Sequence, residues 1–254
     1  MQPLIVDFMK NFYGYGNLNG SYWFVGMEEG CGPDWNLDAR PRFERWQARG
    51  RRQTEDLRGF HFDIGIRKHW EATNGKPVKI QFTWRRLIET ILAVEGEVAT
   101  DEKIARYQAQ YLGTPDGETC LLELLPLPSR RVSEFGYEHL ANEAYPFFCK
   151  RAAYRKHVLG ARIAHLQCLI AQYKPRHVVF YGKSYRKAWE MLVRNTPWVT
   201  VDGWIRRCQF SGAQVWLTPH PAAHKIPRNL FTSLGEKIRE GDPPSANPIC
   251  RVQA

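Results

Sequence analysis

Trp23-Phe24-Val25-Gly26-Met27-Glu28-Glu29-Gly30 is an apolar run that breaks into an acidic turn bounded by glycines. Far downstream, Leu217-Thr218-Pro219-His220-Pro221-Ala222 repeats the shape with an imidazole. Strands ending in such turns bring a carboxylate and a histidine to one rim of a parallel sheet, and that pair suits hydrolysis.

Working outward, two more apolar runs have strand length. Residues 119–125 (Thr-Cys-Leu-Leu-Glu-Leu-Leu) carry one carboxylate, Glu123, and stop at Pro126-Leu127-Pro128-Ser129. Residues 177–181 (His-Val-Val-Phe-Tyr) run into Gly182-Lys183-Ser184, and residues 214–217 lead to His220. Helical periodicity separates the strands over 3–13, 40–52, 81–94, 101–112, 151–173 and 227–240, with a further helix after Ser184 through Arg194. The first of these ends in a turn at Gly14-Tyr15-Gly16. The basic 40–52 helix is anchored by Phe43 and Trp46, with its charges in solvent. The alternation predicts an α/β fold: three layers, α/β/α, around a four-stranded, mainly parallel central sheet. Right-handed crossovers put the ligand site beyond the strands' carboxyl ends, where all four turns lie.

At 254 residues the chain buries a substantial core, and residues 1–240 read as one domain. Residues 241–254, rich in proline and without periodicity, read as a mobile tail. Lys and Arg total 36 against 26 Asp and Glu, a formal charge of +10 that favours a polyanionic partner, nucleic acid first. No apolar stretch has the length of a membrane span, and the first residues lack signal-peptide character, so the expected location is cytoplasmic with no membrane partner. The six cysteines form no C-x-x-C and no paired Cys/His spacing, which argues against a zinc or iron–sulfur site and for free thiols. No obligate protein partner is evident.

The order of the four turns resembles the uracil-DNA glycosylase superfamily. Gly26-Met27-Glu28-Glu29-Gly30 is similar to its first motif, of the G-Q-D-P-Y, G-M-N-P-G or G-E-A-P-G type. Glu123-Leu124-Leu125-Pro126-Leu127 looks like its N-x-x-P-L strand end, Phe180-Tyr181-Gly182-Lys183 its third motif, and His220-Pro221-Ala222 its final H-P-S. The resemblance spans roughly residues 20 to 230. It implies the fold predicted above, DNA as partner, hydrolysis of an N-glycosidic bond, and neither metal nor cofactor. The departures lie at Glu28 (Asp or Asn in the family), Glu29 (Pro), Glu123 (Asn) and Ala222 (Ser).

Cleaving a glycosidic bond leaves an electron-poor sugar and an electron-rich base. The resemblance implies Glu28 as the carboxylate that orients water and stabilises the sugar, and His220 as donor to the departing base. Gly26, Met27, Gly30 and Glu123 then surround the base. An ionised Glu123 accepts only, so it repels the O4 of uracil and suits a cytosine-type edge, accepting from N4 and sharing a proton with N3. Gly30 stands where one family branch has a Tyr that excludes C5 substituents, so its smallness admits them. A hydroxymethylated or glucosylated cytosine, as found in some viral DNA, fits both residues. Trp35 and Phe43 are candidates to stack on the base. Pro126, Pro128, Ser129 and Arg130, then Gly182, Lys183 and Ser184 at a helix start, then His224, Lys225 and Arg228 are candidates for the DNA backbone.

Plainer roles stand beside each of these. Glu28 and Glu29 can also be read as exposed loop acids, His220 as a turn cap, Glu123 as the partner of an arginine beneath the rim, Gly30 as a turn residue at positive φ, and Trp35 and Phe43 as core. The expected function is a monofunctional DNA glycosylase in antiviral defence or repair. Uracil or 5-hydroxymethyluracil repair and a catalytically silent nucleic-acid-binding module are the alternatives.

Overall fold

The computed structural model describes residues 1–72, 75, 77–131 and 133–241. In chain order the strands are β1 (Gly14–Gly16), β2 (Tyr22–Gly26), β3 (Thr54–Glu55), β4 (Thr119–Glu123), β5 (His177–Tyr181), β6 (Val199–Thr200), β7 (Arg206–Phe210) and β8 (Ala213–Thr218). The helices are α1 (Gln2–Asn11), α2 (Arg40–Ala48), α3 (Leu57–Asp63), α4 (Phe82–Val94), α5 (Asp101–Gln110), α6 (Arg151–Tyr173), α7 (Arg186–Leu192) and α8 (Leu230–Gly241). The strands form one mixed sheet in the order β3-β1-β4-β2-β5-β8-β7-β6, with helices on both sides.

The α/β expectation holds, but the sheet has eight strands rather than four. The strands read from sequence are its parallel centre, β4-β2-β5-β8. They were legible because both faces are covered: Trp23, Phe24 and Val25 are at most 1% exposed, so β2 reads as a continuous apolar run. The edge strands carry weaker signals. Gly14-Tyr15-Gly16, expected to be a turn, is β1, which pairs antiparallel with β4 and parallel with β3. β7 pairs antiparallel with β8 and β6. It is polar on one face only, with Arg207 and Gln209 exposed and Cys208 and Phe210 buried.

Local chemistry sets the helix ends. Gln81 caps α4 by accepting from the Trp84 amide, and Thr100 caps α5 by accepting from the Lys103 amide. α4 closes on α8, where the Thr90 hydroxyl donates to the Phe231 carbonyl at 3.0 Å. α2 buries Phe43 and Trp46 completely, as its spacing required. One of its charges is not solvated: Arg42 is 4% exposed. Gly241 ends α8, and the remainder of the expected tail lies outside the described residues. Among the described residues no helix is long and apolar enough to cross a membrane.

Candidate active site at the carboxyl rim of the sheet

The parallel register aligns four strand ends. Gly26 of β2 lies opposite Glu123 of β4, and Tyr181 of β5 opposite Thr218 of β8. The missing side chain at Gly26 leaves space above β2 through which Tyr181 reaches Glu123. Their closest atoms, Oη and Oε1, are 3.5 Å apart, long for a hydrogen bond. A Cβ on Gly26 would lie 2.5 Å from Glu123 Oε2 and closer still to Tyr181. The other edge of Tyr181 meets His220, with ring centroids 5.5 Å apart and planes at 68°. Glu123, Tyr181 and His220 therefore form one line across the ends of four strands.

Every shift along the line favours the neutral form of its group. Burial, reinforced by the nearby Glu29 and Glu28 charges, pushes the Glu123 carboxyl well above the usual carboxylate range. Glu123 Oε2 is buried and has no hydrogen-bond partner. The arginine expected beneath the rim is present, but Arg162 donates to the main-chain carbonyls of Glu123 (2.6 Å), Leu124 (3.0 Å) and Phe12 (2.7 Å), not to the carboxyl. Burial likewise holds the Tyr181 phenol in its protonated form. Burial lowers the pKa of His220, whose Nδ1 accepts from the Ala222 amide at 3.0 Å. That bond places the proton of the neutral ring on Nε2, making it a donor.

The two acids of the first turn have separate surroundings, and neither is an exposed loop acid. Glu28, its side chain 6% exposed, faces the first turn of α6, where Arg151 Nη2 lies 2.6 and 2.5 Å from its carboxylate oxygens. Arg151 also donates to the Glu134 carbonyl at 3.0 Å. Burial raises the Glu28 carboxyl above its ordinary value, with Arg151 and Arg155 offsetting part of the shift. A carboxylate here also opposes the cationic start of α6, Lys150 and Arg151, which the helix dipole disfavours. Glu29 turns the other way, to Arg42 (3.1 and 3.2 Å), the Tyr15 hydroxyl (2.9 Å) and His61 Nε2 (3.5 Å). Burial alone would raise its pKa, but Arg42 and His61 prevail and lower it to about 2.

The remaining candidates divide by exposure. Met27 is 6% exposed and lies beneath the turn, while Gly30 is exposed, with no atom within 4 Å of where a Cβ would stand. The φ of Gly30 is not positive, so no turn conformation demands glycine there. Gly30 instead bridges Ser129 in parallel, extending the β2–β4 pairing past the strand ends. Phe43, a candidate stacking ring, is a fully buried core side chain. Trp35 is part-exposed against Phe43, Tyr137 and His139. It borders a cavity of about 380 Å³ between the loops after β2 and β4, whose walls include Cys31, Arg130, Glu134 and Phe135. Glu28, Glu123 and His220 do not line that cavity; they lie at the strand ends and the turns that follow them.

Pro126, Pro128 and Ser129, expected at the DNA backbone, are buried and shape the loop: the Ser129 hydroxyl donates to the Arg131 and Glu134 carbonyls. Arg130, Ser184, His224, Lys225 and Arg228 are exposed. Gly182, at φ 104°, opens a short 3-10 turn at Lys183 before the seven-residue α7, rather than a long helix at Lys183. Lys183 is part-exposed and donates to the Gly203 carbonyl at 3.3 Å.

Tyr181, Arg151, Tyr15 and Arg42 belong to the rim and were not singled out from sequence. Tyr181 had a signal, an aromatic closing a buried strand just before a glycine. Arg151 lies 123 residues from Glu28 and had none.

Compared with protein-family models, with curated proteins and with solved structures, the chain finds no match.

Proposed function

We propose that the chain is a monofunctional DNA glycosylase that hydrolyses the N-glycosidic bond of an extruded pyrimidine, with a C5-substituted cytosine as the preferred base. The observation that carries this reading is the Glu123–Tyr181–His220 line over Gly26, which aligns an edge-reading carboxyl with a neutral imidazole donor. The order of turns that resembles the uracil-DNA glycosylase superfamily supports it, as does the net charge of +10.

In the proposed reaction the C1′–N1 bond breaks with its electron pair passing to the base. His220 Nε2–H donates to the base oxygen as negative charge develops there. Glu28, ionised, faces the sugar cation and takes a proton from the water whose oxygen bonds to C1′. Its bond to Arg151 leaves the second lone pairs of its oxygens for that water. A neutral Glu123 donates its proton to N3 of cytosine and accepts from the N4 amino group. Proton transfer to N3 makes the base a better leaving group, so it departs uncharged. Gly30 leaves the C5 side open toward the cavity bordered by Trp35.

The neutral state of Glu123 favours a second reading. A carboxylic acid also matches uracil, donating to O4 and accepting from N3–H, so the acid alone does not repel uracil as an ionised Glu would. Discrimination then comes from proton transfer, which only cytosine accepts.

The test is a panel of duplexes, each holding one uracil, 5-hydroxymethyluracil, cytosine, 5-hydroxymethylcytosine or glucosylated 5-hydroxymethylcytosine, scored for abasic sites. Cytosine-type substrates should lead, and Glu123→Asn should shift preference to the uracil type, because the amide keeps a donor opposite O4 but has no acid proton to pass to N3. Preference for uracil in both wild type and Glu123→Ala would defeat the cytosine edge and leave a uracil glycosylase. No abasic sites on any duplex, with DNA binding intact, would leave a silent binding module.

A further inference from the structure

We propose that the β6–β7 turn is a nucleic-acid stacking arm, with Trp204 as the ring that enters the base stack where the target nucleotide leaves it. The proposal rests on the glycosylase reading for its target, but Trp204 itself lies outside the four rim turns.

Register places the arm. Arg206 at the start of antiparallel β7 pairs with Leu217 of β8, so residues 201–205 project past the same strand end that leads to His220. The Gly182 amide donates to the Thr218 carbonyl at 3.0 Å, joining the Lys183 turn to that edge. Trp204 is 39% exposed, whereas Trp23, Trp46, Trp189 and Trp216 are at most 1% exposed. An exposed indole forgoes the burial that stabilises a core and leaves part of its ring free for a contact.

The arm is built to hold that ring still. Asp202 Oδ1 accepts from the Trp204 and Ile205 amides at 2.7 and 2.8 Å, and the Val201 amide donates to the Ile205 carbonyl at 2.9 Å. Ile205, fully buried, anchors the base of the turn. Lys183 Nζ lies 5.4 Å from the Trp204 ring centroid, so a cation flanks the indole, and Arg206 is next along the strand. A preformed aromatic among cations fits a base stack beside phosphates, because stacking is indifferent to base identity and the charge meets the backbone. Extruding a base leaves a gap in the duplex, and a flat side chain at the rim fills it.

The experiment compares wild type, Trp204→Ala and Trp204→Phe on two readouts. The first is the ratio of affinities for a duplex with a tetrahydrofuran abasic site and for the intact duplex, which needs no catalysis. Wild type should prefer the gapped stack by roughly 5- to 150-fold, the range one stacked base contributes; Trp204→Ala should lose that preference and Trp204→Phe keep most of it. The second is single-turnover excision, which in Trp204→Ala should fall by a similar factor in fully paired duplex and little in single strands. An unchanged affinity ratio in Trp204→Ala, or equal losses on paired and single-stranded DNA, would overturn the arm. Absence of excision by wild type with the ratio behaving as expected would overturn the glycosylase reading alone. Self-association lost in Trp204→Ala with an unchanged ratio would assign the ring to a protein contact, against the proposal.

Discussion

Gly26→Ala isolates the space that the rim depends on. Gly26 does not have a positive φ, so alanine meets no backbone penalty and only its Cβ matters. That atom would stand 2.5 Å from Glu123 Oε2 and closer to the Tyr181 hydroxyl, two groups buried among their neighbours. Overpacking of this kind costs about 1–3 kcal/mol. At roughly 2–4 °C per kcal/mol for a domain of this size, the melting temperature should fall by about 2–12 °C. The same strain parts Tyr181 from Glu123, so excision should fall further than stability accounts for. Gly30→Ala, four residues on, is the packing control: its Cβ meets nothing within 4 Å, so stability should stay near wild type. Urea unfolding with single-turnover kinetics on the three proteins decides the matter. Gly26→Ala within about 0.5 kcal/mol of wild type, the range of an ordinary surface change, would refute the packing, and an unchanged rate would refute the line's role.

Arg151→Gln removes the cation that offsets the burial of Glu28, so the Glu28 pKa should rise further. The acid limb of the kcat/KM profile should then move to higher pH, with Arg151→Lys partly restoring it; an unmoved limb would exclude Glu28 as the ionised group. Glu29→Gln leaves Arg42 buried and unpaired and should cost about 3–5 kcal/mol in urea unfolding. Because the pKa of Glu29 is depressed to about 2, its contribution is present above the unfolded carboxylate pKa and is lost as pH falls toward 2; the variant should lack that acid-side loss. Arg130→Gln and Arg228→Gln should each weaken binding to all duplexes alike and lower the salt slope by about one, as a lost phosphate contact does; a change in base preference would contradict that role.

The centre of the sheet was legible because burial on both faces writes itself as unbroken apolar runs. α6 was legible from periodicity to its last residue. β1 was hidden by its two glycines, whose φ values of 145° and 100° look like turn chemistry until β4 lies beside them. β3 and β6, of two residues each, carry no periodicity at all. At the rim, single residues and their strand ends could be read, but not their partners. Glu28 is ordered by an arginine on α6, Glu29 by one on α2, and the Glu123 carboxyl is pushed toward its neutral form by burial and then by the charges of Glu29 and Glu28, all long-range effects. The neutral Glu123 also changes the chemistry, since the argument from an ionised acceptor gives way to one from proton transfer.

Release of the free base is the most direct test of the central claim. A duplex holding one 5-hydroxymethylcytosine should yield that base and an alkali-labile abasic site, faster than a uracil duplex yields uracil. The rate should fall as pH rises through the pKa of the Glu123–N3 pair, and Glu28→Gln and His220→Ala should each lower it about 100-fold or more. No free base at any pH, or undiminished release by both variants, would contradict the account.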